Sequence, residues 1–157
     1  MQSYYYVVTA LLAQIARSTP LSPRQGAPTP SPIPPNCTVI NAITNTTNAN
    51  TTSNGYMPQP NFTAAHLVYS AYYTSPLTQF VLATQCMQQC YGYGHPGDCK
   101  SSLLAYQVPT PAGYYGTAGG VLETACLLFD TYLDPCSFEW APHGQYVNET
   151  AVSIYCP

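Results

Sequence analysis

Residues 85–106 read QCMQQCYGYGHPGDCKSSLLAY, and this stretch constrains the fold more than any other. Cys86 and Cys90 are four residues apart, which places both thiols on one side of a helix, one turn apart. The glycine- and proline-rich run that follows is a strong helix stop. Over residues 98–108 the side chains alternate as in a strand, with Cys99 at its start. The stretch therefore predicts a helix followed by a strand, with cysteines on both.

The flanking residues extend this pattern to a complete helix. Ser75 followed by Pro76 is a typical helix start, so we expect the helix to run over residues 76–90. Its apolar side chains fall into two adjoining stripes. The first stripe comprises Leu77, Phe80, Val81, Thr84 and Met87, and the second comprises Leu82, Ala83, Cys86 and Cys90.

Further segments have strand character. Residues 62–73 predict one or two strands, residues 121–129 a buried strand and residues 145–156 a last strand. In the strand over residues 98–108 we expect two opposite faces. Cys99, Ser101, Leu103 and Ala105 form one face, and Leu104, Tyr106 and Val108 form the other. The predicted fold class is α+β: one helix packed on a small antiparallel sheet and stapled by disulfides.

The chain divides into three parts. Residues 1–18 contain an apolar run of signal-peptide length, YYYVVTALLAQIA, and are expected to be removed. Residues 19–60 form a linker, which is Pro-rich over 19–35 and Asn/Thr-rich over 36–60. The Pro-rich part predicts an extended spacer without a function of its own, whose Ser and Thr are candidate O-glycan acceptors. The packed domain is expected over residues 61–157.

Cysteines and glycosylation motifs indicate an oxidising compartment. Seven cysteines are spread along the chain and are accompanied by only three histidines, which favours disulfides over a zinc site. N-x-[ST] motifs occur at Asn36, Asn45, Asn50, Asn61 and Asn148. In a secreted eukaryotic protein these are N-glycan acceptors on the surface. We therefore expect a secreted glycoprotein, with N-glycans as its covalent additions and no cofactor.

Charge excludes several classes of function. Only 6% of the residues are charged, against about 25% in an ordinary domain, and the formal net charge is −3. With three Lys and Arg residues the chain cannot neutralise a row of phosphates, so nucleic acid is not an expected partner. No polybasic segment is available for an anionic membrane, and no membrane insertion of the mature form is expected.

The cysteine order and the flanking words QCMQQCYGYGHPGDCKSSLLAY and ACLLFD resemble the PAN/apple-like domains of small secreted fungal glycoproteins. The resemblance covers about residues 61–157. It implies that Cys86 pairs with Cys126 and Cys90 with Cys99. It further implies a bridge between the ends of the domain, a part that Cys37 and Cys156 can play. Cys136 has no partner in this scheme.

The resemblance also implies a non-enzymatic module that binds carbohydrate or protein at the cell surface or wall. The residues themselves offer little for catalysis. Asp130 and Asp134, with Glu139 nearby, are predicted to be surface turn residues ahead of Pro135 rather than a catalytic pair. The three histidines lie in separate segments, so no metal site is expected. Exposed aromatic side chains are the better candidates for binding, because their flat faces stack on sugar rings and anchor interfaces. The candidate binding residues are Tyr114, Tyr115 and Trp140.

An alternative hypothesis is a structural subunit of an extracellular fibre or coat. Low charge, many tyrosines and an odd number of cysteines all suit self-association. Cys136, in a predicted turn, would bond either to another chain or to Cys37. In the second case Cys156 would become the cysteine that joins two chains.

Overall fold

The computed structural model describes residues 27–43 and 55–157. The expected signal peptide, residues 1–18, lies outside the described residues. The seven strands are β1 (Thr38–Asn41), β2 (Tyr56–Pro58), β3 (Leu67–Tyr73), β4 (Ser101–Pro109), β5 (Leu122–Phe129), β6 (Phe138–Trp140) and β7 (Val147–Tyr155). The helices are α1 (Pro60–His66) and α2 (Gln79–Tyr91), with short 3-10 turns at Tyr114–Gly116 and Pro135–Ser137. The protein is therefore α+β, as the sequence predicts, with two helices where one was expected.

An antiparallel sheet of five strands, in the order β1-β7-β4-β5-β3, forms the centre of the domain. β2 and β6 form a separate two-stranded sheet. The start of the packed domain at residue 61 is thus wrong, because β1 pairs with β7 and β2 pairs with β6. Charge-free, Asn-rich composition suggested a linker there. β1 and β2 form strands because they pair with strands 80 or more residues later in the chain, and local composition contains no signal of such distant partners.

The segment expected to be entirely strand begins as a helix. Pro60 occupies the first turn of α1, where its missing N–H costs nothing, and the strand β3 starts only at Leu67. The start of α2 also differs from the expectation. The backbone N–H of Leu77 donates to Ser75 Oγ at 3.2 Å, so Ser75 stabilises a local turn, and the helix begins three residues after Pro76, at Gln79.

Helix α2 packs on one face of the five-stranded sheet and is fastened there by disulfides. Its buried residues are Leu82, Cys86 and Cys90, which belong to the second of the two predicted stripes. Disulfides join Cys86 to Cys126 in β5, and Cys90 to Cys99 just before β4. A third joins Cys37 to Cys156. These pairs are the ones that the resemblance implies. In the first stripe Phe80 is 80% exposed and Val81 is also exposed, whereas Met87 packs, partly buried, against the cluster beneath the helix.

The opposite face of the sheet holds a second hydrophobic cluster. Leu103, Ala105, Leu127 and Phe129 lie there, packed against residues of the 131–138 connection and α1. Val108 also joins this cluster, although alternation predicted it on the other face with Leu104. The register of β4 shifts after Ala105, where Gln107 adopts a positive φ of 56°. A bulge of this kind adds a residue and reverses the side on which later side chains lie.

The described part of the Pro-rich segment is part of the fold rather than a free spacer. The backbone N–H of Ser31 donates to the carbonyl of Gln88 in α2 at 3.0 Å. Ile33 packs against the cluster beneath the helix. Gly92, which caps the helix, lies so close to the carbonyl of Thr29 that a side chain there would collide with it. Residues 27–35 thus line the C-terminal end of α2.

Candidate functional site

The loop between β4 and β5 is a closed, internally bonded structure. The Thr110 N–H donates to the Val121 carbonyl, and the Gly120 N–H donates to the Thr110 carbonyl, both at 2.8 Å. Inside this closure the Gly113 N–H donates to the Thr117 carbonyl at 2.9 Å. Gly119 must be a glycine, because a Cβ there would lie 2.6 Å from the backbone nitrogen of Ala112, and its φ is +79°. The loop therefore holds its side chains in fixed positions.

Tyr115 projects from the tip of this loop. It lies between two glycines of positive φ and itself has a φ of 47° and a ψ of 30°, in the left-handed region. An aromatic residue rarely adopts this conformation, and its cost is of the order of 1–2 kcal/mol. The side chain is 73% exposed. The backbone conformation therefore directs a large apolar ring toward solvent.

Tyr114 anchors the loop to the edge of the sheet. Its hydroxyl accepts a hydrogen bond from the backbone N–H of Tyr72 at 3.0 Å, and the two rings meet edge to face with centroids 4.8 Å apart. Tyr115 packs edge to face on Tyr114 at 4.6 Å. Because Tyr72 lies in strand β3, three rings in sequence connect the sheet edge to the exposed Tyr115.

These rings form one wall of a shallow cleft of about 190 Å³. Thr110, Thr117 and Glu123 supply polar groups to the cleft, and Val121 supplies an apolar one. The volume corresponds to about six water molecules at ~30 Å³ each and lies below the usual range for sites that enclose a whole small-molecule ligand. The cleft therefore suits one ring-sized part of a ligand, with hydroxyl and carboxylate groups beside an aromatic face.

Two phenols of the cleft, Tyr72 and Tyr114, have raised pKa values. Burial raises the pKa of Tyr72 above its ordinary value, and partial burial likewise raises the pKa of Tyr114, with a smaller contribution from the charge of Glu123. A raised phenol pKa means that the neutral O–H form is favoured. The cleft thus presents the neutral hydroxyls of Tyr72 and Tyr114 and the carboxylate of Glu123, and no Lys or Arg of the described residues lines it.

Trp140 is not brought to this cleft. It lies in β6, opposite Tyr56 of β2, and the two rings stack with centroids 4.4 Å apart. The indole is 58% exposed, so it remains a surface group, but it lines neither the cleft at Tyr115 nor the larger cleft described below. Of the three candidate binding residues, the structure therefore joins Tyr114 and Tyr115 and leaves Trp140 apart.

The glycosylation motifs within the described residues lie on the surface. Asn36, Asn61 and Asn148 are all exposed, at a turn before β1, in α1 and near the start of β7 respectively. Asn45 and Asn50 lie outside the described residues. Exposure is what an acceptor requires, so the three described motifs stay candidates for N-glycans.

The carboxylates of Asp130 and Asp134 both have structural partners. Asp134 Oδ1 accepts hydrogen bonds from the N–H groups of Cys136 and Ser137 and thereby caps the short 3-10 turn. Asp130 lies 2.9 Å from the ring of His66. Cys136, in that turn, is exposed and is not in a disulfide. Among the described residues no cluster of His, Cys, Asp and Glu is arranged to hold a metal ion.

A second cleft, of about 300 Å³, was not predicted from the sequence. It lies where the turn before β1, the end of α2 and the end of β7 meet, and Lys100 and Tyr132 line it. Tyr132 stacks on Tyr155 at 4.2 Å, and the Lys100 ammonium lies 5.6 Å from the centre of the Tyr132 ring. The one usable sequence signal was Lys100 itself, a rare cation in a charge-poor chain.

No protein-family model, curated protein or solved structure matches this chain. In the part of the chain that the structure describes, no helix is both long and apolar enough to cross a membrane.

Proposed function

We propose that the protein is a secreted, non-enzymatic glycoprotein module of the PAN/apple-like type that binds carbohydrate at the cell surface or wall through the cleft beside Tyr115. The single observation that carries this proposal is the exposed Tyr115 ring, held in a left-handed conformation at the mouth of a rigid cleft. Strained backbone that presents a functional group is typical of binding sites. The three disulfides and the five N-x-[ST] motifs, of which the three described ones are exposed, fit an extracellular setting.

The chemistry of the cleft favours a neutral sugar over other ligands. A pyranose ring has an apolar face that packs on an aromatic side chain, and its hydroxyl groups pair with carboxylate and hydroxyl groups. Tyr115 offers the ring, while Glu123, Thr110 and Thr117 offer the polar partners. Since the lining includes a carboxylate and no cation, an anionic ligand would be repelled.

The test is binding of neutral oligosaccharides of wall type to the glycosylated protein and to two matched variants. Tyr115→Ala should lower the affinity by about tenfold or more, because it removes the stacking ring. Trp140→Ala removes an aromatic side chain of similar exposure outside the cleft and should leave the affinity unchanged. Equal losses in both variants, or binding only to a protein partner, would contradict the carbohydrate assignment.

The free thiol favours a second candidate, the structural subunit of an extracellular fibre or coat. Cys37 and Cys156 bond to each other, which leaves Cys136 exposed and unpaired. An exposed thiol in an oxidising compartment seldom stays free. If Cys136 joins two chains, non-reducing gels should show a species of twice the monomer mass. This species should disappear in the Cys136→Ser variant and after addition of reductant. A wild-type protein that runs only as a monomer would eliminate a disulfide-linked assembly.

A further inference from the structure

The second cleft has a rigid frame that does not depend on the Tyr115 loop. Cys37, Cys99 and Cys156 line it, and these are half-cystines of two disulfides. Pro34 and Pro96 supply further stiff, apolar wall. Its volume of about 300 Å³ lies at the lower end of the range for small-molecule sites, which are usually preformed. The cleft therefore exists before any ligand arrives.

Lys100 gives this cleft its distinct chemistry. It is the only Lys or Arg of residues 27–43 and 55–157, and within those residues it makes no ion pair. Its backbone is fixed between two strands, since its N–H donates to the carbonyl of Phe129 and its carbonyl accepts from Ile154 N–H, both at 2.8 Å. Among the described residues no Asp or Glu side chain lines the cleft, and although Pro157 at the end of the sequence lines it, no ion pair joins its carboxylate to Lys100. A positioned ammonium without a carboxylate partner is suited to bind an anion.

The Tyr132 ring helps to hold the ammonium in place. Lys100 Nζ lies 5.6 Å from the centre of that ring, and Tyr132 is in turn stacked on Tyr155. A cation near an aromatic face is attracted to the electron-rich ring, which restricts a long and otherwise mobile side chain. The cation is therefore preorganised, and a ligand loses less binding energy in ordering it.

We propose that this cleft is a binding site for a single carboxylate-bearing sugar, a hexuronic acid residue, with Lys100 as the partner of its carboxylate. One cation matches one carboxylate and cannot hold a polyanion such as nucleic acid. Tyr91 and Tyr132 supply ring surface for the sugar.

The surrounding strands argue against an extended peptide as the occupant. Ile154 of β7 lines the cleft, and β7 is paired on both sides, with β1 and with β4. A peptide that binds by adding a strand needs a free sheet edge, and β7 offers none. A compact ring with one negative charge is the better match to a cleft walled by turns, disulfides and tyrosines.

The test compares galacturonic acid with galactose, which differ at one carbon: a carboxylate in the acid and a hydroxymethyl group in the neutral sugar. NMR titration of the full glycosylated protein should detect galacturonate at residues that line this cleft, such as Lys100 and Ile154, with galactose at least about tenfold weaker at the same residues. Lys100→Gln should lower galacturonate affinity by about tenfold or more, whereas Lys100→Arg, which keeps the charge, should retain most of it. Added salt should weaken binding in the wild type. Circular dichroism would establish that both variants fold, which is expected for a partly exposed side chain.

Two further variants separate this site from its neighbours. Tyr115→Ala should leave galacturonate binding unchanged, because Tyr115 lies outside this cleft. Asn36→Gln removes the glycosylation motif at the cleft and should preserve the affinity. The proposal is overturned if galactose and galacturonate bind equally at the residues that line this cleft, if Lys100→Gln has no effect, or if galacturonate binds only after Asn36→Gln. It is likewise overturned if a short peptide with a free carboxyl terminus binds and the sugar acid does not.

Discussion

The hydroxyl of Tyr114 accepts a hydrogen bond from the backbone N–H of Tyr72 at 3.0 Å and so covers part of the free edge of β3, the last strand of the sheet. The hydroxyl of Tyr93 covers another part of the same edge by donating to the carbonyl of Val68 at 3.0 Å. Exposed strand edges invite unwanted pairing with other chains. In this charge-poor protein tyrosine hydroxyls take the place of the charged residues that commonly protect such edges.

Removal of the Tyr114 hydroxyl tests this edge role. Tyr114→Phe keeps the ring contact with Tyr72 but leaves the Tyr72 N–H without its partner, so we expect the free energy of unfolding to fall by about 1 kcal/mol. Chemical denaturation of the wild type and the variant would measure this difference in the free energy of unfolding. Tyr155→Phe, which keeps the ring stacked on Tyr132, is the control and should be neutral in stability. If the two variants are equally stable, the hydrogen bond contributes nothing to the fold.

Alkaline pH should destabilise the protein through Tyr146. Desolvation by burial raises the pKa of Tyr146 from 10.0 to about 12. The native state therefore holds this proton more tightly than the unfolded chain. The contribution of Tyr146 to the free energy of unfolding is constant below pH 10. It falls between pH 10 and pH 12, by up to about 2 kcal/mol. Denaturation curves at a series of pH values would show the decline, and it should be smaller in Tyr146→Phe. An identical decline in that variant would assign the effect to other groups.

The three disulfides should differ in their contribution to stability. They close loops with sequence separations of 119, 40 and 9 residues, for Cys37–Cys156, Cys86–Cys126 and Cys90–Cys99 respectively. Loop-closure entropy in the unfolded chain predicts contributions of about 5, 4 and 2.5 kcal/mol in that order. Paired Cys→Ala variants compared by calorimetry would give the ranking. A larger loss for the shortest loop than for the longest would mean that loop entropy does not govern the order.

The contact between the Pro-rich segment and α2 can be tested at Gly92. A methyl group there would collide with the Thr29 carbonyl, so Gly92→Ala should push residues 27–33 away from the helix. The sensitive readout is hydrogen exchange of the Ser31 N–H, which is bonded to the Gln88 carbonyl and should exchange faster in the variant. Gly97→Ala serves as a control, since a Cβ at Gly97 meets nothing within 4 Å, although its positive φ makes a small stability loss expected. Unchanged exchange at Ser31 would contradict the docking of this segment.

Local patterns predicted the centre of the fold but not its borders. The helix with Cys86 and Cys90, the strand at Ser101 and the loop with Tyr115 all follow from periodicity and glycine or proline signals near in sequence. β1 could not be predicted in this way, because its place in the sheet depends on β7 more than 100 residues later. The face of the sheet on which Val108 lies could not be predicted either, because the alternation of side chains before a bulge does not indicate that the bulge will follow.

The candidate sites were predictable to different degrees. Tyr115 was identified because a pair of tyrosines in a glycine-rich loop indicates exposure. Trp140 was grouped with it on residue type alone, and only the three-dimensional structure separates the two. The Lys100 cleft combines a turn, a helix end and two strand ends from four parts of the chain. No sequence window contains such a site, so residue spacing offers no signal for it.

The most direct test of the proposed carbohydrate-binding site is a chemical-shift map of the isotope-labelled protein during titration with a neutral wall oligosaccharide. We expect the largest chemical-shift changes at Tyr115, Thr117 and Val121, which line the cleft together, and no change at Trp140. No saturable change at the 110–123 loop, or the largest changes centred on Trp140 and Tyr56, would contradict it.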